Sequence, residues 1–231
     1  GLNIGANGII FEGATADAHE TTLTVVNGGN ATFAGDVTAS TNFEVTGGTT
    51  TITFDGAVDQ TITGVISNAT ANWADLTNSN TAGIVTFASD VGESGTKAGN
   101  ILHATGSQTV YSALIYAQDL TMTGTAKVTL EAAMTLTDKL DTNDGAVGMT
   151  LTLGSAFVGA TTAITADNSE AALHQTAGAV TVVLNSKFTT GTVTLLNDAD
   201  TLDSTEVAAF VVTDTSLTDY TMGVSCEGDL E

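Results

Sequence analysis

Carboxylates are the only abundant reactive groups in this chain of 231 residues, with 26 Asp and Glu against four Lys and no Arg. Their densest stretch is Asp198-Ala-Asp-Thr-Leu-Asp-Ser-Thr-Glu206, which gathers Asp198, Asp200, Asp203 and Glu206 in one turn-prone segment. Hard cations bind several oxygens presented by a flexible loop, so these four residues are the expected calcium ligands. The stretch lacks the glycine turn of a calcium loop, as does Asp141-Thr-Asn-Asp-Gly145, and the competing reading is a solvated acidic turn. No other cofactor is expected.

Two carboxylates about 5–10 Å apart across a cleft would serve glycoside hydrolysis. Sugar platforms are usually aromatic, however, and one Trp with three Tyr is poor provision. His19, His103 and His174 stand apart, with no paired Cys and no zinc-ligand spacing, and are expected at the surface or at strand edges. Cys226 has no His near it in sequence, and no Ser sits in a G-x-S-x-G elbow. Gly47-Gly48 leads into a strand and no Lys follows, so it is no phosphate loop. No catalytic residue is assigned, and the chain reads as non-enzymatic.

The elements that must carry these groups follow from composition. There are 45 Thr, 25 Gly and no Pro. β-Branched residues suit a pleated, half-buried surface, and Gly supplies the corners between strands. Period-two runs recur, among them Thr22–Val26, Thr51–Phe54, Gln60–Thr63, Ile84–Phe87, Leu120–Thr123, Lys127–Leu130, Met134–Thr137, Met149–Leu153, Val180–Leu184 and Thr192–Leu196. Each places an apolar residue inward and Thr outward. The fold class is therefore all-β. Few large rings imply a thin core, which favours an elongated β-solenoid or fibrous β-body, with a β-sandwich as the alternative. Only Ser169–Gln175 tempts a helix, and a single turn or a loop is expected there. A change from Gly/Thr-rich to longer runs suggests an N-terminal segment, 1–58, and a β-repeat body, 59–231.

A net charge of −22 makes a nucleic-acid surface untenable, and no apolar run is long enough for membrane insertion by a helix. Charge of one sign opposes compaction unless salt or divalent cations screen it, so a salty or calcium-containing exterior is expected. Gly1, with the first Met at 122, points to a processed or excised product.

The segment Asn7-Gly-Ile-Ile-Phe-Glu-Gly-Ala-Thr-Ala-Asp-Ala-His-Glu-Thr-Thr-Leu-Thr-Val25 resembles one frequent in tail-fibre-like and other virion structural proteins of marine bacteriophages. Its continuation, Asn27-Gly-Gly-Asn-Ala-Thr-Phe-Ala-Gly-Asp-Val37, resembles further phage-fibre pieces but lacks the Pro-containing stretch that commonly follows in that family. From about residue 60 the chain is similar to β-repeats of bacterial adhesins and autotransporter passengers, most clearly at Asn80–Val91. These resemblances imply a structural protein of a virion surface: a fibre, spike or decoration subunit contributing to host attachment. A bacterial cell-surface adhesin, matrix filament or surface-layer subunit is the alternative, and a tailspike-like polysaccharide hydrolase the second. The expected partners are copies of itself and other virion or cell-surface proteins.

Overall fold

The computed structural model describes residues 9–11, 15–16, 22–26, 30–46, 48–142, 148–155, 157, 161–166, 173–174, 180–184, 193–198 and 210–213. Among them every regular element is a strand. One sheet of 11 strands runs in the order β1 (Ile9–Phe11), β4 (Ala31–Phe33), β6 (Thr50–Phe54), β8 (Ala74–Asn78), β10 (Ala98–His103), β12 (Ile115–Met122), β14 (Met134–Leu136), β17 (Thr161–Ala166) and β20 (Val193–Asp198). It is completed by β15 (Leu140–Asp141), which pairs with β12, and β18 (Leu173–His174), which pairs with β15.

The second sheet, of 10 strands, runs β2 (Thr15–Ala16), β5 (Val37–Thr46), β7 (Gln60–Asn68), β9 (Ile84–Phe87), β11 (Gln108–Tyr111), β13 (Lys127–Leu130), β16 (Met149–Leu153), β19 (Val180–Leu184) and β21 (Phe210–Thr213). Here β3 (Thr22–Val26) pairs with β5 off the main path.

This corrects the expectation of an elongated β-solenoid or fibrous β-body. The chain builds two wholly parallel sheets, with most successive strands passing from one sheet to the other. Period-two runs locate strands but carry no information on pairing direction or partner, which is why the sheet arrangement escaped the sequence. Nor does the Ser169–Gln175 stretch stay wholly irregular or helical. Its Leu173 and His174 pair in parallel with Leu140 and Asp141.

Pairing is by position, while the corners vary in length. Ile62 lies opposite Phe87, 25 residues on; Tyr111 opposite Leu130, 19 on; Leu153 opposite Leu184, 31 on. The two longest strands bend. β5 shifts register between Thr38 and Asn42, against the part of β7 that turns at Gly64, whose φ of +103° is costly for a residue with a Cβ.

Burial alternates as the period demands. Thr50, Ile52 and Phe54 of β6 point inward while Thr51 and Thr53 are half-buried, and β16 repeats the pattern with Met149, Leu151 and Leu153 inward. A chain of rings joins the sheets. Phe43 meets Phe33 edge-on, Phe33 stacks on Phe54, Phe54 meets Phe87 edge-on, and Phe87 stacks on Tyr111 with centroids 5.0 Å apart. Each buried ring is worth about 1.5–3 kcal/mol by transfer, and each well-placed pair about 0.5–1.5 kcal/mol more. Beyond Tyr111 the core is mainly aliphatic and Met, with Leu130, Met134, Leu136, Leu151 and Leu153 all buried, and Phe157 adds one further buried ring among the described residues.

Candidate functional site

The interior is not wholly apolar, and several of its buried polar side chains are held by hydrogen bonds. Alternation along Ile101-Leu102-His103 at the end of β10 turns the imidazole inward, where it is completely buried. Its Nδ1 lies 2.9 Å from Thr109 Oγ1 and its Nε2 lies 3.2 Å from Tyr111 Oη, both on β11 of the opposite sheet. Either neutral tautomer makes both bonds. Burial holds the His103 pKa down at about 3, against an ordinary value of 6.5, and pushes the Tyr111 phenol up. The expectation of a surface or strand-edge imidazole is therefore corrected for His103. Its isolation in the sequence reflects partners supplied by a strand of the other sheet.

This imidazole ends a longer hydrogen-bonded chain. Asn78 Nδ2 donates to Thr109 Oγ1 at 2.7 Å and to the Gln108 carbonyl at 3.0 Å, while Asn78 Oδ1 accepts from Asn80 N at 2.9 Å. Asn80 Nδ2 donates to Gln60 Oε1 at 3.1 Å and to the Val58 carbonyl at 2.7 Å. Gln60 Nε2 in turn donates to the carbonyls of Phe33 and Gly35. Gln60 and Asn80 fill all the capacity of their amides, since Gln60 Oε1 also accepts from Gly56 N and Asn80 Oδ1 accepts from Ala82 N and Gly83 N. A satisfied buried network of this kind fixes a single packing, because any slip orphans several groups at once.

The carboxylates of the strand margins have a second common geometry. Each accepts the backbone N–H of a residue on the neighbouring strand or corner: Asp36 from Thr61 at 2.7 Å, Asp59 from Ile84 at 2.8 Å, Asp75 from Asn100 at 2.8 Å, Asp90 from Leu114 at 2.9 Å, and Asp119 from Lys139 at 3.1 Å. Glu131 accepts from both N and Oγ of Ser155. Two of these acids, Asp36 and Asp59, stand immediately before β5 and β7 and cap the entry of the next strand in the same sheet. Burial raises the pKa of Asp75 and of Asp119; the bond from Asn100, and that from Lys139, pull the other way.

Of the expected calcium ligands, Asp198 closes β20 opposite Ala166, while Asp200, Asp203 and Glu206 lie outside the described residues. Among the described residues no group of three or more His, Cys, Asp and Glu is arranged to hold a metal ion. Asp141 pairs with Lys139 Nζ at 3.4 Å, and residues 143–147 of the other acidic stretch lie outside the described residues. His174 lies on β18 opposite Asp141; His19 and Cys226 lie outside the described residues. Among the described residues no helix is long and apolar enough to cross a membrane.

Sequence reasoning missed both the interior network and the carboxylate bonds. The available signal was position: His103 falls on inward parity, and Asp36 and Asp59 each directly precede a period-two run. No protein-family model matches the chain, and no curated protein or solved structure matches it.

Proposed function

We propose that the chain is a non-enzymatic structural subunit of a surface assembly, and specifically a fibre, spike or decoration subunit of a virion. The observation carrying this reading is how the polar side chains are spent. Gln60, Asn78, Asn80, His103 and the marginal carboxylates bond one row of strands to the next. Chemistry needs a group held ready for a substrate; stiffness needs every group tied to its neighbour. The virion setting, a particle surface shared with copies of itself, is supported by the resemblance of residues 7–37 to phage-fibre segments.

Light scattering after size exclusion, with and without calcium, tests the reading. A defined trimer or larger assembly supports a virion subunit. A stable monomer at micromolar concentration counts against it, and turnover of a host polysaccharide would overturn the non-enzymatic assignment.

A further inference from the structure

The polar chain through the interior is neutral on every side of its one imidazole. Asn78 and Met122 are the register neighbours of His103 on β8 and β12, and Thr109 and Tyr111 face it from β11. The charged groups on the strands packed around it are engaged or turned elsewhere. Asp75 of β8 bonds Asn100 N, Asp119 of β12 bonds Lys139 N, and Lys127 of β13 is exposed. β7 and β9 contain no charged residue, and Tyr111 is the one other ionisable group of the network. Among the described residues, no carboxylate is placed to balance an imidazolium.

The hydrogen count points the same way. In either neutral form one ring nitrogen donates and the other accepts, so the ring binds one of the two hydroxyl protons. In the cation both nitrogens donate. The Thr109 and Tyr111 hydroxyl protons must then both find acceptors elsewhere, in an interior that excludes water, and Thr109 Oγ1 already accepts from Asn78 Nδ2. The joint has little in reserve. Between β10 of one sheet and β11 of the other, the chain crosses at a corner closed by a bond from Ser107 N to the Ala104 carbonyl at 3.0 Å. Ser107 Oγ is buried there with no hydrogen-bond partner among the described residues, a cost the corner already carries.

We propose that His103 is an acid-released latch between the two sheets: when its ring takes up a proton, β10 parts from β11 at this corner while the rest of the stack keeps its strands. The remainder of the molecule responds to acid with the opposite sign. Protonating carboxylates relieves the −22 charge, and Asp75 and Asp119, whose pKa values burial raises, favour the folded state as pH falls. Loosening on acidification therefore isolates the latch from the acids. The inference concerns this fold by itself and does not depend on the assembly reading.

Amide hydrogen exchange of the full chain, from about pH 7.5 to about pH 5 and corrected for the intrinsic pH dependence of exchange, reads such an opening directly. The closed ring holds a pKa of about 3 against 6.5 in the open chain. Protection of residues 98–111 should thus fall about tenfold for each pH unit below 6.5. Protection of Thr50–Phe54 and Met149–Leu153 should hold, with the far-ultraviolet circular dichroism unchanged. His103→Gln should abolish the fall. Should that variant not fold, His19→Gln combined with His174→Gln leaves His103 as the sole imidazole, and its ring nitrogen shifts report protonation with the joint intact. Constant protection of residues 98–111 across the range would overturn the proposal. So would an equal fall in His103→Gln, a uniform fall over all strands, or a His103 ring that takes up its proton with no loss of protection around it.

Discussion

The Asp75 carboxylate accepts the backbone N–H of Asn100 across two paired strands, at 2.8 Å, because Gly99 has no side chain to displace it. A Cβ at position 99 would overlap Asp75 Oδ1. The acid and the glycine are thus one device, made of residues 24 positions apart.

The two should couple. Asp75→Ala is expected to cost about 1 kcal/mol through the lost charge-assisted bond, and Gly99→Ala about 1–3 kcal/mol through overlap. In the double variant the glycine substitution should cost measurably less than it does alone. Urea unfolding of all four proteins checks this, and additive costs would refute the coupling.

His103 sets a pH dependence of known sign. Its folded pKa is depressed to about 3, so below pH 6.5 the unfolded chain takes up a proton that the folded protein refuses. The stabilisation is complete above that pH and is lost by about 1.4 kcal/mol per pH unit as pH falls towards 3. Asp75 and Asp119 act in the opposite direction. Their folded pKa values are raised by burial, so their contribution is full below 3.8 and is lost as pH rises through those raised values. His103→Gln should be less stable than the unaltered protein at pH 7, with a gap that narrows towards pH 4. A constant gap would place the imidazole's role in packing alone.

Two glycines with similar backbone angles should respond differently to alanine. Gly92 has φ of +71°, and a Cβ there would run into the Tyr116 carbonyl, whereas Gly106 has φ of +81° and open space out to Thr81 Cγ2 at 3.6 Å. Gly106→Ala should cost about 1–2 kcal/mol, the strain of the left-handed region. Gly92→Ala should cost more, because backbone must move as well. Thermal melts rank the pair.

Calcium should raise the melting temperature more than a monovalent salt of equal ionic strength if Asp198, Asp200, Asp203 and Glu206 bind it. Replacing Asp200 and Asp203 by Asn should then remove the difference. Equal effects of the two salts would leave only general screening of the −22 charge.

Sequence reading located the strands well where alternation was clean. The runs Ile84–Phe87, Lys127–Leu130, Met149–Leu153 and Val180–Leu184 coincide with β9, β13, β16 and β19. It could not find their partners, because parallel neighbours lie 19 to 33 residues apart through corners of unequal length, as Tyr111 with Leu130 and Leu140 with Leu173 show. The interior network was hidden for the same reason. Asn78, His103 and Thr109 look like unrelated polar residues until pairing brings β8, β10 and β11 together. The carboxylates were read as free charge because nothing in an acidic residue's own sequence reveals that it caps the strand after next.

The unequal corners have a consequence for descent. Where alignment is settled strand by strand, residues can be inserted or lost at a bend while the bonds on either side stay as they were. Whole rows can be duplicated, trimmed or replaced on the same terms. Such a lineage keeps its architecture long after its sequence has drifted out of recognisable register with its kin.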